Sequence, residues 1–248
     1  MILHSEYREA LTLRISIRDT ASAVHWHNNT YTYFESFGMG NIGHAVLDDL
    51  FGSYMAFRLF GFDPVQSHLG ILLNRDCEDA ICTRAFYGWG RGLTSAPLHR
   101  PSLPGTPGDM HCFSDLIVGV GQFSCTAGLS VRKGHGKAFF FRDFRTSFYR
   151  GLGVRLPNIN SIPAHRVLIN KKREGRRKIV NFEEVAQEIE AQLGLAVDFT
   201  PEDLFLLPVK AQIELLFDYT VILTPVGTIS MRLFFCRPGR NSQKSALS

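Results

Sequence analysis

The second half of the chain alternates short apolar runs with longer amphipathic segments. The pattern predicts strands at 167–169, 196–199 and 220–224. Helices are predicted at 181–193 and 209–217, each after a strand. Because strand and helix take turns, we expect a parallel sheet with right-handed crossover connections, the half-unit of a nucleotide-binding fold.

The first half also mixes strands and helices, but less regularly. A helical pattern lies near 41–60, and an apolar run follows at 69–74. A Pro- and Gly-rich passage at 97–108 reads as a long surface loop. Beyond it come a second apolar run at 115–121 and a helix at 140–152. We therefore expect a second α/β lobe.

The stretch LPNINSIP before the second half is predicted as a hinge, which places the boundary near residue 160. The chain then divides into lobes at 1–160 and 161–248. Its 248 residues, 45% hydrophobic and 20% charged, are enough for two small lobes or one large domain. No apolar stretch of about 18 residues occurs, and the charged first 20 residues lack the pattern of a secretory signal.

The first candidate for chemistry is GNIGHAVLDDL at 40–50. A helix that starts near Asn41 places His44 and Asp48 on one arc with it, where the imidazole and the carboxylate can hydrogen-bond. Such a pair can hold one group ready to take a proton from a hydroxyl. The alternative interpretation is a solvated helix face with a capping Asn, and Asp49 is predicted at the surface.

Three loops of the second half follow predicted strands and could bind phosphate, at 170–178, 200–203 and 224–228. The net charge is +4, and much of the excess lies in KKREGRRK at 171–178, between a predicted strand and the helix that starts at Asn181. A glycine turn at 224–232 brings Gly227 and Thr228 before a further helical piece. Alternatives are a solvated loop or a nucleic-acid patch for the basic run, and an ordinary connection for the turn.

Several site types are disfavoured by the motifs. The conceivable zinc ligands, Cys77, Cys82, His111 and Cys112, lack the spacing of a zinc site. The chain has no Gly-x-Ser-x-Gly or Walker motif. It also has no Asp-x-Asp motif.

Taken in order, these pieces resemble glycosyltransferase family 61. The early Asn-x-x-His helix with its acidic residue resembles Asn41, His44 and Asp48, and an aromatic and basic helix resembles 141–154. The later matches are the family's basic residue, Arg-x-Ile-x-Asn, a recurrent Gln and the closing Gly turn, which fall on Lys171, Arg177, Ile179, Asn181, Gln212 and Gly227. Val226 departs from the pattern, because many members carry His there.

The resemblance implies two Rossmann-like lobes facing a cleft, a GT-B architecture, and an inverting transfer from a UDP-sugar to a glycan or protein hydroxyl. His44 or Asp48 would serve as base or base-orienter from the N-terminal, acceptor-side lobe. The C-terminal lobe would bind the donor through Lys171, Arg177, Asn181, Gln212, Gly227 and Thr228. No cofactor or metal is expected, because fixed cations can meet the charge of the leaving diphosphate.

The implied partners are a nucleotide sugar and a polysaccharide or glycoprotein acceptor, not a nucleic acid. Family members act in the Golgi or ER lumen, yet the chain starts close before Asn41 without the anchor that members usually carry, so truncation at the N-terminus is one interpretation. Two rival functions stay open. One is a non-catalytic relative that binds nucleotide or glycan, and the other is a nucleic-acid-binding protein acting through the basic run.

Overall fold

The protein is described by a computed structural model, in which two compact units meet in sequence between Gly153 and Val154. The boundary that the sequence predicts, near residue 160, lies outside the described residues. The structure describes residues 23–34, 42–63, 69–73, 88–94, 109–118, 138–157, 165–171, 179–202, 204–225 and 233–236.

The N-terminal unit contains a parallel sheet of three strands. These are β1 (Val24–Phe34), β2 (Leu69–Leu73) and β3 (Met110–Val118), in the order β2-β1-β3. Strands β2 and β3 confirm the two apolar runs, although β3 begins ahead of the predicted run. The central strand β1 was not predicted. Along its amino-terminal half, imidazoles stack across the sheet, and His27 Nε2 lies 3.1 Å from His111 Nδ1.

The predicted helix near 41–60 is confirmed as helix α1, which is formed by Ile42–His44, Ala45–Leu50 and Phe51–Leu59. The middle segment is a π-helix, in which the Phe51 N–H donates to the Val46 carbonyl five residues earlier. A π turn holds one more residue than an α turn, so the side chains after it are rotated relative to a regular helix.

Helix α1 is buried along most of its length and is tied to β1. The Thr32 hydroxyl donates to Ser53 Oγ over 3.3 Å, and Ser53 donates in turn to the Asp49 carbonyl over 2.9 Å. The prediction that Asp49 lies at the surface is wrong, since that residue is buried together with all its neighbours from Ala45 to Phe57. The π turn and the enclosure of the helix both differ from the regular half-exposed helix that the prediction assumed.

Helix α2 (Ala138–Leu152) confirms the predicted helix at 140–152 and packs on α1 through aromatic rings. The rings of Phe51 and Phe141 stack with centroids 4.3 Å apart. The buried Tyr54 hydroxyl donates to Asp143, whose carboxylate also lies 3.3 Å from Arg58 Nε. This polar group inside an aromatic contact fixes how the two helices meet.

The C-terminal unit has a second parallel sheet, as predicted. Its strands are β4 (Arg166–Ile169), β5 (Ala196–Phe199) and β6 (Val221–Leu223), in the order β5-β4-β6. The predicted helices are confirmed as α3 (Phe182–Leu193) and α4 (Val209–Leu216).

Helix α3 covers one face of this sheet. Val167 and Ile169 of β4 form a core with Ala186, and Val185 and Ile189 pack around it. Leu193, the last residue of the helix, is exposed. The helix ends at the next residue, Gly194, whose φ of 61° is left-handed and closes the helix. The described architecture is thus mixed α/β with small parallel sheets.

Candidate functional site

His44 and Asp48 form a hydrogen-bonded pair inside helix α1. The distance from His44 Nδ1 to Asp48 Oδ2 is 2.7 Å. The side chain of Asp48 is fully buried, whereas that of His44 is 25% exposed. Asp48 Oδ1 is also buried and has no hydrogen-bond partner among the described residues. The interpretation of a solvated helix face is therefore wrong for Asp48.

Burial raises the pKa of the Asp48 carboxyl, and the hydrogen bond from His44 offsets only part of that increase. The carboxylate accepts from Nδ1 of the imidazole and fixes the orientation of the ring, as a buried carboxylate does in catalytic triads. Because the imidazole is the partly exposed member, it is the one that a substrate hydroxyl can reach. This geometry makes His44 the better candidate for the base and Asp48 the better candidate for the orienting residue.

The π segment explains the burial that the sequence did not predict. Asp48 lies within Ala45–Leu50, where the wider turn changes the direction of each side chain relative to a regular helix. Single π turns within α-helices occur often at functional sites. Asn41, the predicted start of the helix, lies outside the described residues.

In the C-terminal unit, polar side chains follow the strands at their carboxyl ends. The Asn170 N–H donates to the Leu223 carbonyl over 2.8 Å, and the Thr200 N–H donates to the Ile169 carbonyl over 3.0 Å. The backbone hydrogen-bond ladder of the sheet thus extends one residue past β4 and β5. We call Thr200, Asn170 and Thr224, the residues that follow β5, β4 and β6, the carboxyl-edge row. In α/β folds, ligands bind beyond this edge of a parallel sheet.

Lys171, a predicted donor-binding residue, lies next to this row. Its backbone N–H donates to Thr200 Oγ1 over 3.1 Å. Its ammonium lies 4.1 Å from the ring centroid of Phe199 and 4.9 Å from that of Phe182. These cation–π contacts hold a positive charge near the carboxyl end of β5 and the start of α3.

Asn181 precedes α3 at the N-cap position, next to the Phe182 ring that Lys171 contacts. Its side chain makes no cap hydrogen bond to the backbone. Instead, the amide Nδ2 donates to Glu184 Oε2 over 3.3 Å, so the two residues do not form a capping box. Lys171 thus contacts the ring of Phe182, the residue that follows Asn181.

Gln212 is buried in α4, a position that is unusual for a long polar side chain. Its Nε2 donates to the Leu207 carbonyl over 2.7 Å, which ties α4 to the segment before it. Its Oε1 is buried without a hydrogen-bond partner in the described part of the chain. Three other predicted donor-binding residues, Arg177, Gly227 and Thr228, lie outside the described residues.

Asn170 and Thr200 begin two of the loops that the sequence predicts at the ligand-binding edge, although neither was singled out as a site residue. Each directly follows a predicted strand, and the residue after a strand is the first one at the ligand-binding edge of a parallel sheet. Within the first loop, the prediction of site residues concentrated on the basic run at 171–178.

Two further properties concern the described part of the chain alone. It contains no cluster of three or more His, Cys, Asp or Glu side chains arranged to hold a metal ion. None of its helices is long and apolar enough to cross a membrane. Of the conceivable zinc ligands, His111 and Cys112 are on β3, where the Cys112 thiol is free, and Cys77 and Cys82 lie outside the described residues.

Each unit contains a small parallel sheet, and the N-terminal unit also contains the hydrogen-bonded His44–Asp48 pair. Comparison with known protein families defines the class as glycosyltransferases. The family described as Glycosyltransferase 61 matches residues 25–242, which is most of the chain. The chain therefore belongs to glycosyltransferase family 61, and the resemblance read from its motifs is confirmed. No curated protein matches the chain.

Proposed function

We propose that this protein is an inverting glycosyltransferase that moves a sugar from a UDP-sugar to a hydroxyl group of a glycan or protein. Membership of the family supports glycosyl transfer from a nucleotide sugar in general. The observation that carries the proposal is the His44–Asp48 pair, in which a buried carboxylate orients a partly exposed imidazole at 2.7 Å. An inverting transfer needs such a base to take the acceptor proton.

In the proposed step, the acceptor oxygen forms a bond to the anomeric carbon of the donor sugar. Its proton passes to Nε2 of His44, while Asp48 stabilises the imidazolium that forms. The bond between the anomeric carbon and the leaving diphosphate oxygen breaks on the opposite face, and UDP departs with the electron pair. A positioned base of this kind contributes about 10²- to 10⁴-fold to the rate.

The leaving diphosphate gains negative charge as the bond breaks, and cations and N–H groups of the C-terminal unit would balance that charge. The Lys171 ammonium is one such cation, held against the rings of Phe182 and Phe199. The proposal adds Arg177 and the Gly227–Thr228 turn on the strength of the family pattern alone. Asn181 and Gln212 complete the proposed donor site, and the proposal includes no metal.

The GT-B arrangement and the Golgi or ER lumen as the place of action also belong to this proposal, since both come from the family resemblance. A second candidate function is a non-catalytic nucleotide- or glycan-binding protein. The observation in its favour is Val226, which stands where many members carry His. Release of UDP from a UDP-sugar by the purified chain would decide against that second candidate.

The proposal is tested by separating turnover from donor binding. We expect His44→Gln to lower kcat by about 100-fold or more while the Kd for UDP stays unchanged. Lys171→Ala should instead raise the Kd for UDP by about tenfold, because it removes a cation from the diphosphate. Glu188→Gln, which neutralises an exposed carboxylate on α3, is the control and should change neither quantity. Full activity of His44→Gln would refute the base assignment.

A further inference from the structure

The described residues contain three buried side-chain oxygens that have no hydrogen-bond partner: Asp48 Oδ1, Asn170 Oδ1 and Gln212 Oε1. The sequence had already marked Asp48 and Gln212 as site residues. Asn170 carries no such mark, yet it shares their property. Since a buried unpaired oxygen destabilises the fold, it calls for an explanation, and one explanation is a partner supplied by a ligand.

The position of Asn170 points to a ligand. The residue directly follows β4, the central strand of its sheet, and lies in the middle of the carboxyl-edge row. Its backbone is fixed by the hydrogen bond to the Leu223 carbonyl, and the residue is only 2% exposed. Its neighbour Thr200 is buried as well, with a hydroxyl that accepts from the Lys171 N–H. Asn170 therefore stands beside the proposed donor-binding lysine in a rigid, desolvated setting.

The chemistry of the unpaired atom restricts what it can bind. An amide oxygen only accepts hydrogen bonds, and the oxygens of an ionised diphosphate also only accept. Asn170 Oδ1 therefore cannot pair with the diphosphate, for which Lys171 is suited. It needs an N–H or O–H group, and a UDP-sugar offers these in its uracil imide, its ribose hydroxyls and its sugar hydroxyls.

We propose that Asn170 determines donor specificity, with Oδ1 accepting a hydrogen bond from an N–H or O–H group of the nucleoside or sugar and making no contact with the diphosphate. This inference rests on the proposed function. A buried acceptor of this kind discriminates strongly, because a ligand without the matching donor leaves the oxygen unpaired. Asn170 thus selects the donor, whereas the cation beside it binds the diphosphate that all such donors share.

The test compares the wild-type chain with Asn170→Leu, which has a similar shape and no polar atoms. Calorimetric titrations are made with UDP, UDP-xylose and inorganic pyrophosphate. We expect Asn170→Leu to weaken binding of UDP-xylose by about tenfold, the loss of one buried hydrogen bond, and to leave the affinity for pyrophosphate unchanged. Gln187→Ala, which removes an exposed amide from α3, is the matched control and should bind all three ligands like the wild type.

The arms of the titration identify the donor group. If a sugar hydroxyl is the partner, the loss is confined to UDP-xylose. If the nucleoside is the partner, UDP shows the same loss, and either 2′-deoxyuridine diphosphate or N3-methyluridine diphosphate binds the wild type and Asn170→Leu equally. Equal affinities of the two proteins for a modified ligand identify the group that Asn170 contacts. The modification of the ligand and the substitution of Asn170 then remove the same hydrogen bond.

A second measurement separates binding from folding. Because Asn170→Leu removes an unpaired buried oxygen, the thermal midpoint of the ligand-free variant should be at least that of the wild type. Asn170→Ser, a smaller change, should show the same selective loss of affinity. Lower thermal midpoints for both variants would assign Asn170 a structural role and overturn the inference.

The remaining outcomes distinguish this inference from the proposed function. Unchanged affinities in both Asn170 variants, or a parallel loss for pyrophosphate, overturn the inference and leave the proposed function standing. Failure of the wild type to bind UDP and UDP-xylose overturns the proposed function, and the donor-specificity role of Asn170 falls with it. A selective loss for the organic part of the donor supports both.

Discussion

Replacing Asp48 with Asn should stabilise the protein while it reduces activity. The carboxylate is fully buried, and one of its oxygens has no hydrogen-bond partner among the residues that the structure describes. Burial raises its pKa, which means that the fold disfavours the charged form even with His44 beside it. An Asn side chain keeps an oxygen that can accept from His44 Nδ1 and places a neutral amide where the unpaired charged oxygen was, and a neutral group is less costly to bury.

The magnitude follows from the unpaired oxygen. Leaving a buried acceptor unsatisfied costs about 1–3 kcal/mol, of which the neutral amide should recover a part. We therefore expect Asp48→Asn to raise the free energy of unfolding at pH 7 by about 1 kcal/mol. For a chain of this size, that gain corresponds to an increase in Tm of about 2–4 °C. Turnover should fall by about 100-fold, because the imidazole loses its anionic partner.

The pH dependence provides the sharper check. A carboxyl whose pKa is raised by folding contributes stability that is complete below its unfolded pKa of about 3.9 and is lost as the pH rises through the folded pKa. The protonated carboxyl resembles Asn, so wild type and variant should be equally stable in acid. Above the folded pKa the variant should be the more stable of the two.

Urea unfolding followed by circular dichroism between pH 4 and pH 8 measures this difference. The control is Glu188→Gln, which neutralises an exposed carboxyl and should track the wild type at every pH. A variant that is less stable than the wild type at pH 7, or a gain that does not depend on pH, would show that the buried charge of Asp48 does not destabilise the fold. Unchanged turnover in Asp48→Asn would refute its orienting role.

Three further substitutions test a buried hydrogen bond, a close contact and a left-handed backbone position. Tyr54→Phe removes the hydrogen bond to the Asp143 carboxylate and should lower the free energy of unfolding by about 1.5–3 kcal/mol in urea titrations. Gly92→Ala places a methyl group 2.6 Å from the Phe148 ring and should lower the free energy of unfolding by about 1–3 kcal/mol, measured the same way. Gly194→Ala meets no neighbouring atom within 4 Å but retains a φ of 61°, so a loss of about 1 kcal/mol, read from the Tm, would reflect backbone strain alone.

The C-terminal unit could be predicted from the sequence because its signals are local. Each strand is a short apolar run, and helix α3 begins after Asn181 and ends at Gly194. The parallel order follows from the alternation of these elements. Central strand β1 could not be recognised in the same way, because its buried residues include Thr30 and Thr32, whose hydroxyls donate to Asp115 and Ser53 on other elements.

The candidate site could likewise be predicted only in part from the sequence. The spacing of His44 and Asp48 predicts their hydrogen bond, since residues four apart meet on any helical turn of α type. The burial of Asp48 was not predictable, because it depends on a π turn and on neighbours that are distant in the chain. Asn170 was predicted only as the first residue of a loop, and its burial was not, because that burial depends on strands that lie far away in sequence.

The π turn in α1 lies between the segment that holds the His44–Asp48 pair and the segment that packs on α2. Before and within the turn, the backbone presents His44 and Asp48 to each other, and after it, the helix directs Phe51 and Tyr54 toward α2. An α-helix advances by roughly 100° per residue, so removing one residue from Ala45–Leu50 would turn one end of the helix against the other by that angle. A shortened helix could keep its proton-handling pair or its aromatic contact with α2, but not both.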